Sequence, residues 1–295
     1  MERKSGAAEL IDQVAKIRRL SKARDTLVAD ALIQQLPLWE ESVRALPNSL
    51  ARSALFTAAN RNIARENLRN RKIASVKGIE IIYTGEELRQ EDGDVFLQIV
   101  HLARQQPLGE IVEFSGYGLL KELGWTTAKA SYDRLRECIN RLSTTTVQVK
   151  MSFPGEISRE KGFGSSLIRK FEWDETAARG TSQRWRVWLE PEIIYLFREN
   201  TYTKIDWKQR LRLPPLAKWL HQFYFSHREP IGYKVETIKM LCGSRIAVLG
   251  KFRYKLREAL DNLIEVGFLL SYHIDRTTDV LTVRRAPKAA GLLSA

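Results

Sequence analysis

Two stretches of this chain repeat one another, and an internal repeat limits the fold more than any single motif does. The first covers residues 101–142 and the second residues 223–263. Pro107, Leu108 and Gly109 match Pro230, Ile231 and Gly232, while RLRECINRL (134–142) matches KLREALDNL (255–263) at a nearly equal offset. Hydrophobic periodicity predicts the same elements in each copy. In the first, a helix over 94–105 ends near Pro107, and a short alternating strand starts at Glu110. A short helix over 116–123 is stopped by Gly124. A longer helix, capped by Thr126 or Thr127, then carries the stripe Tyr132, Leu135, Ile139 and Leu142.

The second copy predicts a helix over 215–227, an extended piece around Gly232, a helix over 235–242 and a turn at Gly243. A helix over 248–265 follows, striped by Leu249, Phe252, Leu256, Leu260 and Leu263. FLLSYHI and DVLTVRR around DRTT then read as a β-hairpin. Helix, short strand, helix, turn, helix, hairpin is the order of a winged helix-turn-helix. The expected fold class is therefore α+β: tandem winged helices behind a short N-terminal helical and extended segment. The expected boundaries are 1–43 for that segment, 44–205 for the first winged helix and 206–295 for the second. The second is the expected main DNA reader.

Charge suggests the partner. Lys and Arg number 48 against 35 Asp and Glu, a net +13, which suits a polyanion, most often nucleic acid. On the helix from Val248, Lys251, Arg253, Lys255 and Arg257 occupy the N-terminal part, whereas Asp261 and Glu265 lie near the C-terminus. That order opposes the helix dipole at about 0.3–1 kcal/mol per charge. A contact with phosphates or base edges would offset this cost, because N-terminal residues of the second helix of such a motif enter the major groove. The expected DNA-binding set is Arg245, Gly250, Lys251, Arg253, Tyr254, Lys255 and Arg257, with Arg276, Arg284 and Arg285 on the hairpin. Lys129, Arg134 and Arg136 in the first copy are auxiliary candidates. The plainer alternative is a solvated basic face on an ordinary helix.

Other function classes find little support. Cys138 and Cys242 stand far apart outside any CxxC, and are read as small buried side chains in a cytosolic protein. The histidines (His101, His221, His227, His273) have no metal-ligand spacing. GSRIAVLGKF departs from a Walker A loop in spacing and by Phe252 at the Ser/Thr position. The stretch from Phe153, FPGEISREKGFGSS, reads as a flexible loop. No enzymatic activity, cofactor or metal is expected. No apolar run approaches the ~20 residues needed to span a bilayer, so no membrane is expected either. The N-terminal MERKSGAAELIDQ lacks the apolar segment of a secretory signal.

RALPNSLARSALFTAANRNIARENL (44–68), IYTGEELR (82–89), YFSHREP (224–230) and LCGS (241–244) together resemble the TrfA-type plasmid replication initiators of broad-host-range plasmids, from about Leu36 onward. The resemblance implies two winged helices that bind repeated double-stranded origin sequences (iterons) and promote opening of adjacent A+T-rich DNA, with single-stranded origin DNA as a further ligand. It implies recruitment of the host sliding clamp, replicative helicase and host initiator. It also implies plasmid copy control through an inactive homodimer in equilibrium with an active monomer, the first winged helix contributing to dimerisation. The short N-terminal region resembles the shorter product of such initiators. Val248 and Gly250 depart from the family pattern, standing where basic side chains are expected. A winged-helix transcriptional regulator bound to an operator is the alternative, and a DNA-cleaving relaxase lacks a visible histidine cluster.

One segment stands outside the repeats. Residues 7–33 have helical spacing (Leu10, Val14, Ile17, Leu20, Leu27), and Pro37 disfavours helix at Leu36. Gln35, Leu36, Leu38 and Trp39 are then expected in an extended QLPLW segment with their apolar side chains available. It resembles the Gln-Leu-x-Leu-Phe motif that docks into the sliding clamp, with Trp39 in place of Phe. The alternative is that these side chains pack onto the first winged helix.

Overall fold

The computed structural model describes residues 35–287 except 61, 108, 110, 152–160, 175–183 and 198–199. The helix expected over residues 7–33 lies outside the described residues. The described chain mixes helices with antiparallel strands, an α+β arrangement. Its buried apolar side chains form two clusters, one drawn from Leu36 to Trp207 and the other from Leu213 to Leu281.

The first half opens with β1 (Val43–Pro47) and α1 (Asn48–Ala51), followed by β2 (Asn67–Ile73) and β3 (Ile79–Glu86). α2 (Gln90–Ala103) runs through its core, where Val95, Phe96, Ile99 and Val100 are buried together with the polar Asp92, Asp94 and Gln98. Hydrophobic periodicity predicts a start four residues later, because the polar residues there carry no apolar stripe. Asp92 explains the earlier start: it accepts from the Arg89 backbone N–H at 2.8 Å while Arg65 and Arg141 neutralise it at 2.8 and 2.9 Å.

The first repeat then supplies β4 (Val112–Ser115), α3 (Gly116–Glu122) and α4 (Lys129–Thr144), close to the predicted bounds. The other strands of this half lie outside the repeat and are not predicted from it. β5 (Thr146–Met151) and β6 (Lys161–Ser165) complete a four-stranded sheet of order β2-β3-β5-β6. Residues 161–165, expected as loop, are thus a strand. β7 (Ile168–Trp173) and β8 (Arg184–Leu189) join β4 in the order β4-β8-β7, and β9 (Tyr202–Asp206) pairs with β1.

The short α5 (Trp207–Leu211) leads into α6 (Pro215–Phe225), β10 (Tyr233–Lys234), α7 (Val235–Leu241), α8 (Leu249–Glu265), β11 (Leu269–Ile274) and β12 (Val280–Arg285). Pro215 at the first turn of α6 removes a backbone N–H that has no intrahelical partner. The last three strands assemble as β10-β12-β11, the same relation that β4, β8 and β7 have in the first half. Each half therefore presents a helix pair beside a three-stranded sheet.

The two cores are tied by polar contacts. Arg210, fully buried, donates to Asp94 at 2.7 Å, to Gln90 at 3.0 Å and to Gln222 at 3.1 Å. The Trp219 indole N–H donates to the Ser53 carbonyl at 3.0 Å, and Arg52 donates to Ser226 Oγ at 3.0 Å.

Candidate nucleic-acid interface

α8 builds the main candidate face. Phe252, Leu256, Leu260 and Leu263 are buried on one side, which leaves Lys251, Tyr254, Lys255 and Arg257 exposed on the other. The first turn of α8 contains no acid and its last turn no base, as the sequence reading requires. Tyr254 is 62% exposed, an aromatic side chain offered to solvent among cations. Gly250 has open space around the position a Cβ would take, so the backbone is approachable there.

The cations of this face are not equally available. Lys251 makes no ion pair within the described residues, and Arg257, Arg276 and Arg284 are exposed. Lys255 reaches Glu258 at 2.7 Å, a contact that raises its pKa. Arg253 holds Asp279 of the hairpin with two bonds of 2.8 Å, and the pairing lowers the Asp279 pKa. It ties helix to hairpin, where sequence alone places it on DNA.

Arg245 and Arg285 also have partners within the protein. Arg245, read as a phosphate clamp, donates to Glu87 at 2.8 Å, to Glu66 at 3.1 Å and to the Ala64 carbonyl at 3.0 Å. Arg285 donates to the Tyr224 carbonyl at 3.0 Å and to that of Arg228, and burial lowers its pKa. These two guanidiniums are committed to protein oxygens, which no sequence signal announces because the partners are remote in the chain.

The auxiliary set divides similarly. Lys129 is exposed at the start of α4. Arg134 binds Glu91 at 2.9 Å and lies 3.7 Å over the Trp125 ring, while Arg136 lies 4.9 Å over Trp173.

The QLPLW segment is outside any helix, as Pro37 predicts, but its apolar side chains are not all available. Leu36 and Trp39 belong to the first core, and only Leu38 projects outward, at 70% exposure. The Trp39 indole N–H donates to His101 Nδ1 at 3.0 Å, and the His101 Nε2–H donates to Glu41 at 2.9 Å. Burial pushes the His101 pKa down to about 4, which keeps Nδ1 free to accept. Gln35 bridges to Pro107 and donates to the Arg104 carbonyl at 3.3 Å. An apolar pentapeptide beside a folded core is buried by that core, and this corrects the expected availability of Leu36 and Trp39.

A model of the TrfA protein family matches residues 2–285. The Escherichia coli plasmid replication initiator protein TrfA is 32% identical over 274 residues, covering 91% of this chain and 70% of that protein. The chain belongs to the TrfA family. It is accordingly a TrfA-type plasmid replication initiator. Among solved structures, this TrfA-family chain is similar to domains 2 and 3 of RctB, in a selenomethionine form (TM-score 0.54, 15% identity, 81% of this chain and 98% of that one). A second structure of the same domains gives a TM-score of 0.55 at 13% identity, covering 84% of this chain and all of the other. At that identity the likeness concerns the fold. No helix of the described residues is long and apolar enough to cross a membrane.

Proposed function

We propose that the chain starts plasmid replication by binding iterons with two winged helices, the second (206–295) reading sequence through α8 and the first (44–205, joined by residues 35–43) adding auxiliary contacts. The observation that carries this is the exposed cationic half of α8, with Lys251, Tyr254, Lys255 and Arg257 on one face and Arg276 on the neighbouring hairpin. Binding acts without a catalytic step: phosphate contacts position the protein, base-edge contacts specify the repeat, and the binding energy helps open adjacent A+T-rich duplex. Single-stranded origin DNA, a host helicase, a host initiator and the sliding clamp are further proposed partners. A homodimer that dissociates into the active monomer is the proposed control of copy number. The test is replication of a reporter plasmid carrying the cognate origin repeats, with the chain supplied in trans. Copies of the plasmid are expected with wild type and none with Lys251→Ala, Lys255→Ala and Arg257→Ala combined. Replication undiminished by the triple variant would move the reading surface elsewhere.

A further inference from the structure

The turn between α7 and α8 is held from outside its own half. The Ala58 backbone N–H donates to the Cys242 carbonyl at 2.9 Å. Gly243 has φ +65°, and a Cβ there would stand 2.7 Å from Thr57 Cγ2, so only glycine lets the two segments meet this closely. Two residues on, the Arg245 guanidinium reaches Glu87 at 2.8 Å and Glu66 at 3.1 Å. Glu87 is itself buried and fixed: it accepts from Thr57 Oγ1 at 2.9 Å and pairs with Arg89 at 3.0 Å. Thr57, Glu87 and Arg245 thus join the first half to the segment just ahead of α8.

We propose that Glu87 is a positioning residue for DNA reading: through Arg245 it fixes the turn ahead of α8 against the first half, and so sets the angle at which α8 meets the duplex. The proposal rests on the reading that α8 contacts origin DNA. It gives an acidic residue a favourable role in binding a polyanion, which simple electrostatics opposes. Loss of a carboxylate near a DNA site strengthens attraction. Loss of a brace instead lets α8 sample unproductive orientations, a coupling effect of roughly threefold to thirtyfold in affinity.

Glu87→Gln, Arg245→Gln and the double variant of the full chain, titrated with a duplex origin repeat at several salt concentrations, decide between these. The brace predicts weaker binding by a few-fold to about thirtyfold in each single variant, a double variant no worse than either, and an unchanged salt slope. Tighter binding by Glu87→Gln with a slope steeper by about one would show Arg245 to be a phosphate ligand restrained by its acids, and would overturn the proposal. A slope lowered by about one in Arg245→Gln, additive losses, or unchanged affinity would overturn it too. Arg245→Gln leaves the Glu87 contacts to Arg89 and Thr57 in place, so it remains decisive if Glu87→Gln melts early. Lys251→Ala, run alongside, separates the two levels: if it has no effect the α8 reading fails, and if it acts while the brace variants do not, only the brace fails.

Discussion

At the scale of single residues, the useful distinction is between cations that are free and cations already satisfied. Lys251 is exposed on α8 with no carboxylate partner among the described residues, whereas Arg253 and Arg285 are held by Asp279 and by backbone carbonyls. Lys255 stands between, since it shares its charge with Glu258. Lys251→Ala is therefore expected to weaken origin binding and to lower the slope of log affinity against log salt by about 0.9, one phosphate's worth. Lys255→Ala should cost less. Titrations at a series of salt concentrations check this, and a slope indifferent to Lys251 would exclude a phosphate contact there. Exposed pairs such as Lys255 with Glu258 contribute little stability of their own, about 0–1 kcal/mol.

Among elements, the critical joint is α5 with α2 and α6. Arg210 on α5 is fully buried and reaches Asp94 and Gln90 on α2 and Gln222 on α6, while Lys218 on α6 shares Asp94. Such a group is tolerated in a core only because every charge faces its opposite, and removing one partner strands the others. Asp94→Ala should accordingly destabilise the fold by about 3–5 kcal/mol. Denaturant unfolding measures the change, and a loss below ~1 kcal/mol would mean that water or a local shift replaces the pair. The helix–hairpin tie between Arg253 and Asp279 belongs to the same class but is solvent-accessible, so its contribution is to geometry more than to stability.

For the whole molecule, the first core decides what its N-terminal border can do. Leu36 and Trp39 are packed inside it, with the Trp39 N–H satisfied by His101, so a clamp meeting the QLPLW segment finds only Gln35 and Leu38 exposed without local release of the rest. If the segment docks on the sliding clamp, Leu38→Ala should lower recovery in a clamp pull-down and leave the melting temperature unchanged. Equal recovery would assign the segment to packing alone. Release of the segment would sacrifice the Trp39 burial, on the order of 25 cal/mol per Å² of apolar area returned to water, which limits how tightly the docked form is populated.

The repeated helix order, the hairpin after its second copy, the buried stripe of α8 and the reversal of charge along it are all legible in the sequence, because they depend on patterns a few residues long. The sequence also showed the family, through stretches whose order survives in the linear chain. Strands β5 and β6 were not legible, since β5 follows α4 without a turn signal and both lie outside the repeat. Which arginines stay free is set by the folded chain, because Glu66 and Glu87 meet Arg245, and Asp94 meets Arg210, across more than a hundred residues of sequence. The same holds for Leu36 and Trp39. A side chain's neighbours in space, not those in sequence, determine whether a cation awaits a phosphate or an apolar residue awaits a partner.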